Sequence, residues 1–272
     1  MKFIFVLFFF LMQASSQETF KLEYKFEKGK TYRYKDFVTS KVTQEMMGTE
    51  TRIDTKSEFI HKIVVDSVGD NGDAVLIVSF DSVRVSIQQK KLDTTIIVNE
   101  IIGKRKKNVL SKFGEVLQKA VIDKIKMGNQ MGGDVSQEVI SFPIFTDKEL
   151  KIGDKWKSTS LDTMDLMGSK IAVKTNASYK IVKKETKLDH ECLKIEYEAE
   201  TESEGKSDMF GVEMYLESSG DIEGVIYFDP KTGLVIYEEA ETDQTITLAT
   251  TGARSMMIPI TQTSKLKRTI VE

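Results

Sequence analysis

The side chains best equipped for chemistry are scarce in this 272-residue chain, which holds 2 His, 1 Cys and 1 Trp. None stands in a familiar catalytic spacing: there is no G-x-S-x-G elbow, no H-E-x-x-H helix, no phosphate-binding glycine loop and no C-x-x-C pair. His61 shares strand parity with Phe59, Ile63 and Val65, so it is expected to point inward, to a core or a cavity wall. A lone inward histidine is as a rule a satisfied core residue, with a ligand role as the sharper alternative. His190 precedes Cys192 at a turn, and the alternation puts Cys192 on the charged face with Lys194 and Glu196, with no third group to orient a nucleophile. One cysteine cannot close an internal disulfide, and with two histidines it cannot complete a Cys/His zinc set.

Oxygen ligands gather at Asp66, Asp70, Asn71 and Asp73, but the spacing of a calcium loop with its late Glu is missing, and Asx residues favour turns on their own account. Lys104-Arg105-Lys106-Lys107 is the one basic run; it reads as an exposed strand or loop, or as a patch for anionic groups. Methionine recurs at Met46-Met47, Met127, Met131, Met164, Met167 and Met256-Met257, fit for core packing or for a deformable lining around a hydrophobic ligand. A hydrolase would need two of the 42 acidic residues to converge in a cleft, and no pair is distinguished by spacing. No catalytic, cofactor, metal or ligand-binding residue is therefore assigned.

The elements that would position these groups are strands. Phe20, Leu22, Tyr24 and Phe26 alternate with Lys21, Glu23, Lys25 and Glu27, and Leu193, Ile195, Tyr197 and Ala199 alternate with Lys194, Glu196, Glu198 and Glu200. This period of two marks strands with one buried and one wet face. Gly69-Asp70-Asn71-Gly72 and Asp229-Pro230-Lys231-Thr232-Gly233 each separate two apolar runs and predict hairpins.

Short anchors recur in order at an offset of about 120 residues. Gly29-Lys30-Thr31-Tyr32 matches Gly153-Asp154-Lys155-Trp156, Thr39-Ser40 matches Thr159-Ser160, Met47-Gly48-Thr49 matches Met167-Gly168-Ser169, and Lys62-Ile63-Val64 matches Lys180-Ile181-Val182. These imply a duplication with units of about 20–118 and 142–240. Val116, Leu117, Ala120, Val121 and Ile125 recur at helical spacing between Glu115 and Met127, before Gly128, and predict one amphipathic helix between the units. Asn129 to Gly133 reads as a loop after it.

The first segment is an apolar run from Phe3 to Met12 behind Lys2, followed by Ala14, Ser15 and Ser16, the pattern of a cleaved export signal too short to span a bilayer. Without it, 38 basic and 42 acidic side chains remain, net −4, which disfavours nucleic acid as a partner. The expected organisation is thus a signal at 1–16, a first β repeat at 17–118, a helical or loop connection at 119–141 and a second β repeat at 142–272. The fold expected is mainly β, with duplicated long antiparallel strands in a curved or partly open barrel and one or two helices between the repeats; two separate β sandwiches are the alternative.

Phe142-Pro143 and the K-x-G-D-x-W stretch Lys151 to Trp156 resemble a family of uncharacterised bacterial envelope proteins in which that motif opens the second half. The opening Phe20 to Tyr34, with its K-F-x-K-G-K-x-Y-x-Y pattern, resembles the same family's first strands. Members often carry a lipoprotein cysteine after the signal, which this chain lacks. The family has no established function, so no site residue carries over; Trp156 and Tyr32 are expected to anchor the strand after each Gly turn. The expected function is that of an exported protein, periplasmic or extracellular, soluble and not lipid-anchored. It would be noncatalytic and without cofactor, holding a hydrophobic or amphipathic, lipid-like molecule in a β cavity. The alternative is an envelope interaction protein that binds another protein or a glycan, and a hydrolase of unrecognised type is the third class.

Overall fold

The computed structural model describes residues 18–90, 92–123, 142–166, 169–209, 212–251 and 255–271. The expected signal, Met127, Met131, Met167 and the loop at 129–133 lie outside them. Fourteen strands follow in chain order: β1 (Phe20–Lys21), β2 (Thr31–Met46), β3 (Thr49–Val68), β4 (Ala74–Gln89), β5 (Leu92–Ile97), β6 (Lys106–Leu110), β7 (Val116–Val121), β8 (Glu149–Leu150), β9 (Lys155–Leu166), β10 (Ser169–Lys187), β11 (His190–Met209), β12 (Val212–Asp229), β13 (Leu234–Thr250) and β14 (Met256–Ile270). Twelve of them form one antiparallel sheet in the order β7-β6-β4-β3-β2-β14-β13-β12-β11-β10-β9, with β5 paired to β4. It is the curved, unclosed sheet expected, and β14 beside β2 makes the two halves continuous.

The helix expected from Glu115 is a correction. Val116–Val121 is a strand on the sheet edge, paired with Lys106–Leu110, and residues 124–127 lie outside the described chain. Ser111 N–H donates to Glu115 O and Gly114 takes a φ of 93°, so the chain reverses just before the apolar run and offers it the free ladder of β6. Six residues of mixed apolar pattern fit either period, and the neighbouring edge decided between them.

The two predicted hairpins form. Gly72 (φ 87°) turns β3 into β4, and Gly233 (φ 68°) turns β12 into β13. The matched glycine turns are also built alike. Gly29 and Gly153 both have positive φ (81° and 96°), and their N–H groups donate to Val65 O (2.9 Å) and Ile181 O (2.8 Å). In return Val65 N–H donates to Lys30 O and Ile181 N–H to Asp154 O. Behind each turn an aromatic ring is buried: Tyr32 packs against Phe26, and Trp156 stacks on Tyr179 at 4.9 Å while its Nε1–H donates to Ile144 O.

At 16 to 20 residues, β2 and β3 run about 50–65 Å, far longer than the aromatic core they enclose. That core lies at one end of the sheet, where the segments around β1 and β8 pair with each other inside its curve. Tyr24 contacts Phe26, Phe142, Phe145 and Phe228, and its hydroxyl donates to Pro143 O. A Cβ on Gly114 would come within 2.2 Å of Pro143 O and 2.8 Å of the Tyr24 ring, so only glycine lets this plug seat. Bulges at Ile60/His61 and Val65/Ser67 of β3, at Ile181/Lys183 of β10 and at Tyr227/Phe228 of β12 fall in this half, where they bend the sheet around the plug.

Candidate functional site

Beyond the plug, the faces of the strands differ sharply. Rows on the side away from the core carry exposed charge: Lys41, Lys56, Glu198, Glu200, Asp221, Asp243 and Lys265. Rows on the core side continue as half-buried Val42, Gln44, Thr55, Thr242, Gln244, Ile246, Ser264 and Ile260. Register ties these into one concave surface, since Ser264 opposes Ser40 and Thr242, and Ile260 opposes Gln44 and Ile246. Hydrogen bonds among uncharged groups knit it: Gln244 donates to Ser218 Oγ (3.0 Å), Ser218 and Ser203 hydroxyls meet at 2.8 Å, and Thr201 donates to Gly220 O. The charged outward rows are the reverse of the lipid-facing apolar band of a barrel that crosses a bilayer. Among the described residues no helix is long and apolar enough to cross a membrane.

The floor of this concave surface, next to the plug, is a buried charge cluster. Arg268 of β14 donates from Nε and Nη2 to the two oxygens of Asp36 on β2 (3.0 and 2.8 Å) and from Nη1 to Glu238 of β13 (3.1 Å). Tyr197 of β11 donates to the other Glu238 oxygen (2.9 Å). Burial favours the neutral carboxyl of Asp36, but His61 and the Arg268 guanidinium hold it down to about 2. Burial likewise works against the charge on Arg268, yet Glu238 and Asp36 keep it firmly protonated. Burial raises the hydroxyls of Tyr34 and Tyr197 far above their ordinary range, so both are neutral. The Tyr197 ring lies across Gly224, where a Cβ would come within 2.5 Å of it.

His61 is inward and buried, as its parity predicts, with its ring 4.7 Å from that of Phe80. Its Nε2 is 3.0 Å from Asp36 Oδ2, although neither ring nitrogen makes an aligned hydrogen bond. His190 is remote from it and bonds Asp229 through Nδ1 (2.9 Å), while Asp229 caps its hairpin by accepting from Lys231 N–H and Thr232 N–H. Cys192 corrects the expectation of a charged face: it is buried, with Glu185 as its register partner on β10. Burial, with Asp229 nearby, pushes its thiol up to about 12, the opposite of a nucleophile. Asn71 and Asp73 bond each other within the β3–β4 turn, and among the described residues no group of three His, Cys, Asp or Glu could hold a metal ion. In the basic run, Arg105 is clasped by Asp123 through both guanidinium arms. Met46, Met47 and Met257 are exposed at the end of the sheet away from the plug, while Met256 is half-buried on the concave side.

Sequence reading missed Asp36, Glu238 and Arg268, although a signal was present. Each breaks the alternation, carrying charge on the apolar parity of Tyr34, Ile236 and Ile270 respectively. Two open furrows, of about 770 and 460 Å³, lie among the outward charged rows, the first walled by Glu198, Glu223, Glu241 and Lys265, the second by Glu200, Asp221 and Asp243. They are gaps between standing side chains, and Lys265 already pairs with Glu241 across the first.

No family model matches the chain, and no curated protein matches it. Among solved structures, an outer-membrane channel from Pseudomonas putida F1 aligns over 92% of this chain and 98% of its own, at 9% identity and a TM-score of 0.25. That is the likeness two chains of long β-strands share, and it carries no argument about function.

Proposed function

We propose that the chain is an exported, noncatalytic binding protein whose concave sheet face holds an apolar or amphipathic molecule. One observation carries the reading. The core-side rows of strands some 50–65 Å long continue beyond the plug as a half-exposed surface of Ile, Leu, Thr and Gln among the described residues, while the charge stands on the other side. Apolar surface left half open along several strands favours an occupant of matching polarity. Exposed methionines at its outer end suit a partner of variable shape. The inward carboxylates argue for structure over acid catalysis, since Asp36 and Glu238 are both engaged by Arg268.

Native mass spectrometry on gently purified protein, with titration of the neutral fluorophore N-phenyl-1-naphthylamine, tests the reading. A retained small-molecule adduct or saturable fluorescence enhancement is expected; protein that is ligand-free and also leaves the fluorophore dark would refute it. A second reading, an envelope protein that binds another protein, draws on the edge strand β7, where Leu117 and Val121 are about half exposed (51% and 54%) beside unpaired backbone.

A further inference from the structure

We infer that the molecule held on the concave face carries an uncharged, hydroxyl-bearing polar end, as an acylglycerol does, and not the anionic head of a fatty acid or a phospholipid. This rests on the binding reading above and concerns the chemistry of the same surface. Between the buried cluster and the outer end of the sheet, the polar groups facing inward on β2, β13 and β14 are Ser40, Gln44, Thr242, Gln244, Gln262 and Ser264, all neutral. Hydroxyls and primary amides both donate and accept, which matches a polyol and leaves an anion without a counter-charge.

The charged groups that come near do not alter this. Arg268 is bound on two arms by Asp36 and on a third by Glu238, so two carboxylates face one guanidinium and the floor offers an anion no net attraction. Asp162, on the inward parity of β9, is met by Lys119 of β7 across the open seam of the sheet. Among the described residues Ser40 is 8% exposed, lies on the inward row above the cluster, and its Oγ, like the ring nitrogens of His61, makes no hydrogen bond. A buried hydroxyl left so is unfavourable, and a ligand hydroxyl would satisfy it. The apolar end has its own place beyond, along Ile246, Leu248, Ile258 and Ile260.

Competition against bound N-phenyl-1-naphthylamine at pH 8 decides the matter, with three ligands sharing one oleoyl chain: 1-monooleoylglycerol, oleate and 1-oleoyl lysophosphatidic acid, each below its aggregation threshold. The neutral glyceride is expected to displace the fluorophore at concentrations at least tenfold lower than either anion. In T242K, which sets a cation among the neutral rows, oleate is expected to gain at least tenfold on the glyceride. Anions that compete as well as the glyceride, or a T242K protein with unchanged preference, would overturn the inference and leave the binding reading standing. Failure of the wild-type protein to bind the fluorophore and all three ligands would remove both.

Discussion

Replacing Arg268 by methionine isolates the charge cluster at the floor of the concave face. Methionine keeps most of the length and apolar stem of arginine but leaves Asp36 and Glu238 as buried carboxylates that have lost three charged hydrogen bonds, of 3.0, 2.8 and 3.1 Å. Breaking a buried pair from one side typically costs about 3–5 kcal/mol, and at roughly 2 °C per kcal/mol in a chain of this size the melting temperature should fall by about 6–10 °C. The pH dependence gives a second handle. Asp36 is held at about 2 against an ordinary 3.8, which corresponds to stability on the order of 2 kcal/mol at neutral pH. Because the folded value is depressed, that contribution is intact above about pH 4 and is lost as pH falls through about 2. In R268M only His61 still opposes the effect of burial on Asp36, so its carboxyl rises and its protonation relieves part of the penalty as the solution is acidified. Urea unfolding of both proteins should therefore show a gap of about 3–5 kcal/mol at pH 7 that narrows toward pH 4. A gap below about 1 kcal/mol at pH 7, or one that does not change with pH, would refute the account of the cluster.

Glycine in a strand interior makes a sterically defined claim. G224A places a methyl within 2.5 Å of the Tyr197 ring and 2.7 Å of Glu239 O, and should destabilise by about 1–3 kcal/mol in urea. G29A, at a φ of 81° with nothing within 4 Å, should cost about 1–2 kcal/mol from the backbone alone; the two causes are told apart by whether Y197A relieves only G224A. Cys192, buried with its thiol raised to about 12, should resist N-ethylmaleimide for hours at pH 7.5 in the folded protein and react within minutes in urea. Prompt stoichiometric labelling of the native protein would contradict its placement.

Much of the fold is legible in the sequence because its strands are long and regular. Alternation alone places Leu193 and Ile195 inward, both fully buried, and Pro230 with Gly233 marks the hairpin that forms between β12 and β13. The recurrence of Gly29-Lys30 as Gly153-Asp154 corresponds to two turns with the same hydrogen bonds, since a positive φ followed by a strand leaves a local mark on residue choice. Where the pattern was short or interrupted, reading failed. Val116 to Val121 has too few residues to separate a strand from a helix, and Cys192 shares the parity of the charged Lys194 and Glu196 yet is buried, which alternation alone does not show.

The candidate site was less legible, for a different reason. Asp36, Glu238 and Arg268 are separated in sequence by up to 232 residues, and each looks like an isolated lapse in a period-2 pattern. Their meeting depends on β14 lying between β2 and β13, a neighbour relation between strands distant in the chain. By itself, then, the sequence determined most of the long strands, which side of them is apolar and where the two hairpins turn, because these follow from local periodicity and backbone preference. Only the tertiary structure decided the strand order, the opening of the sheet and the sealing of one end by an aromatic plug. Those depend on contacts between distant segments, and it is they that leave a neutral concave face open above a buried charge cluster.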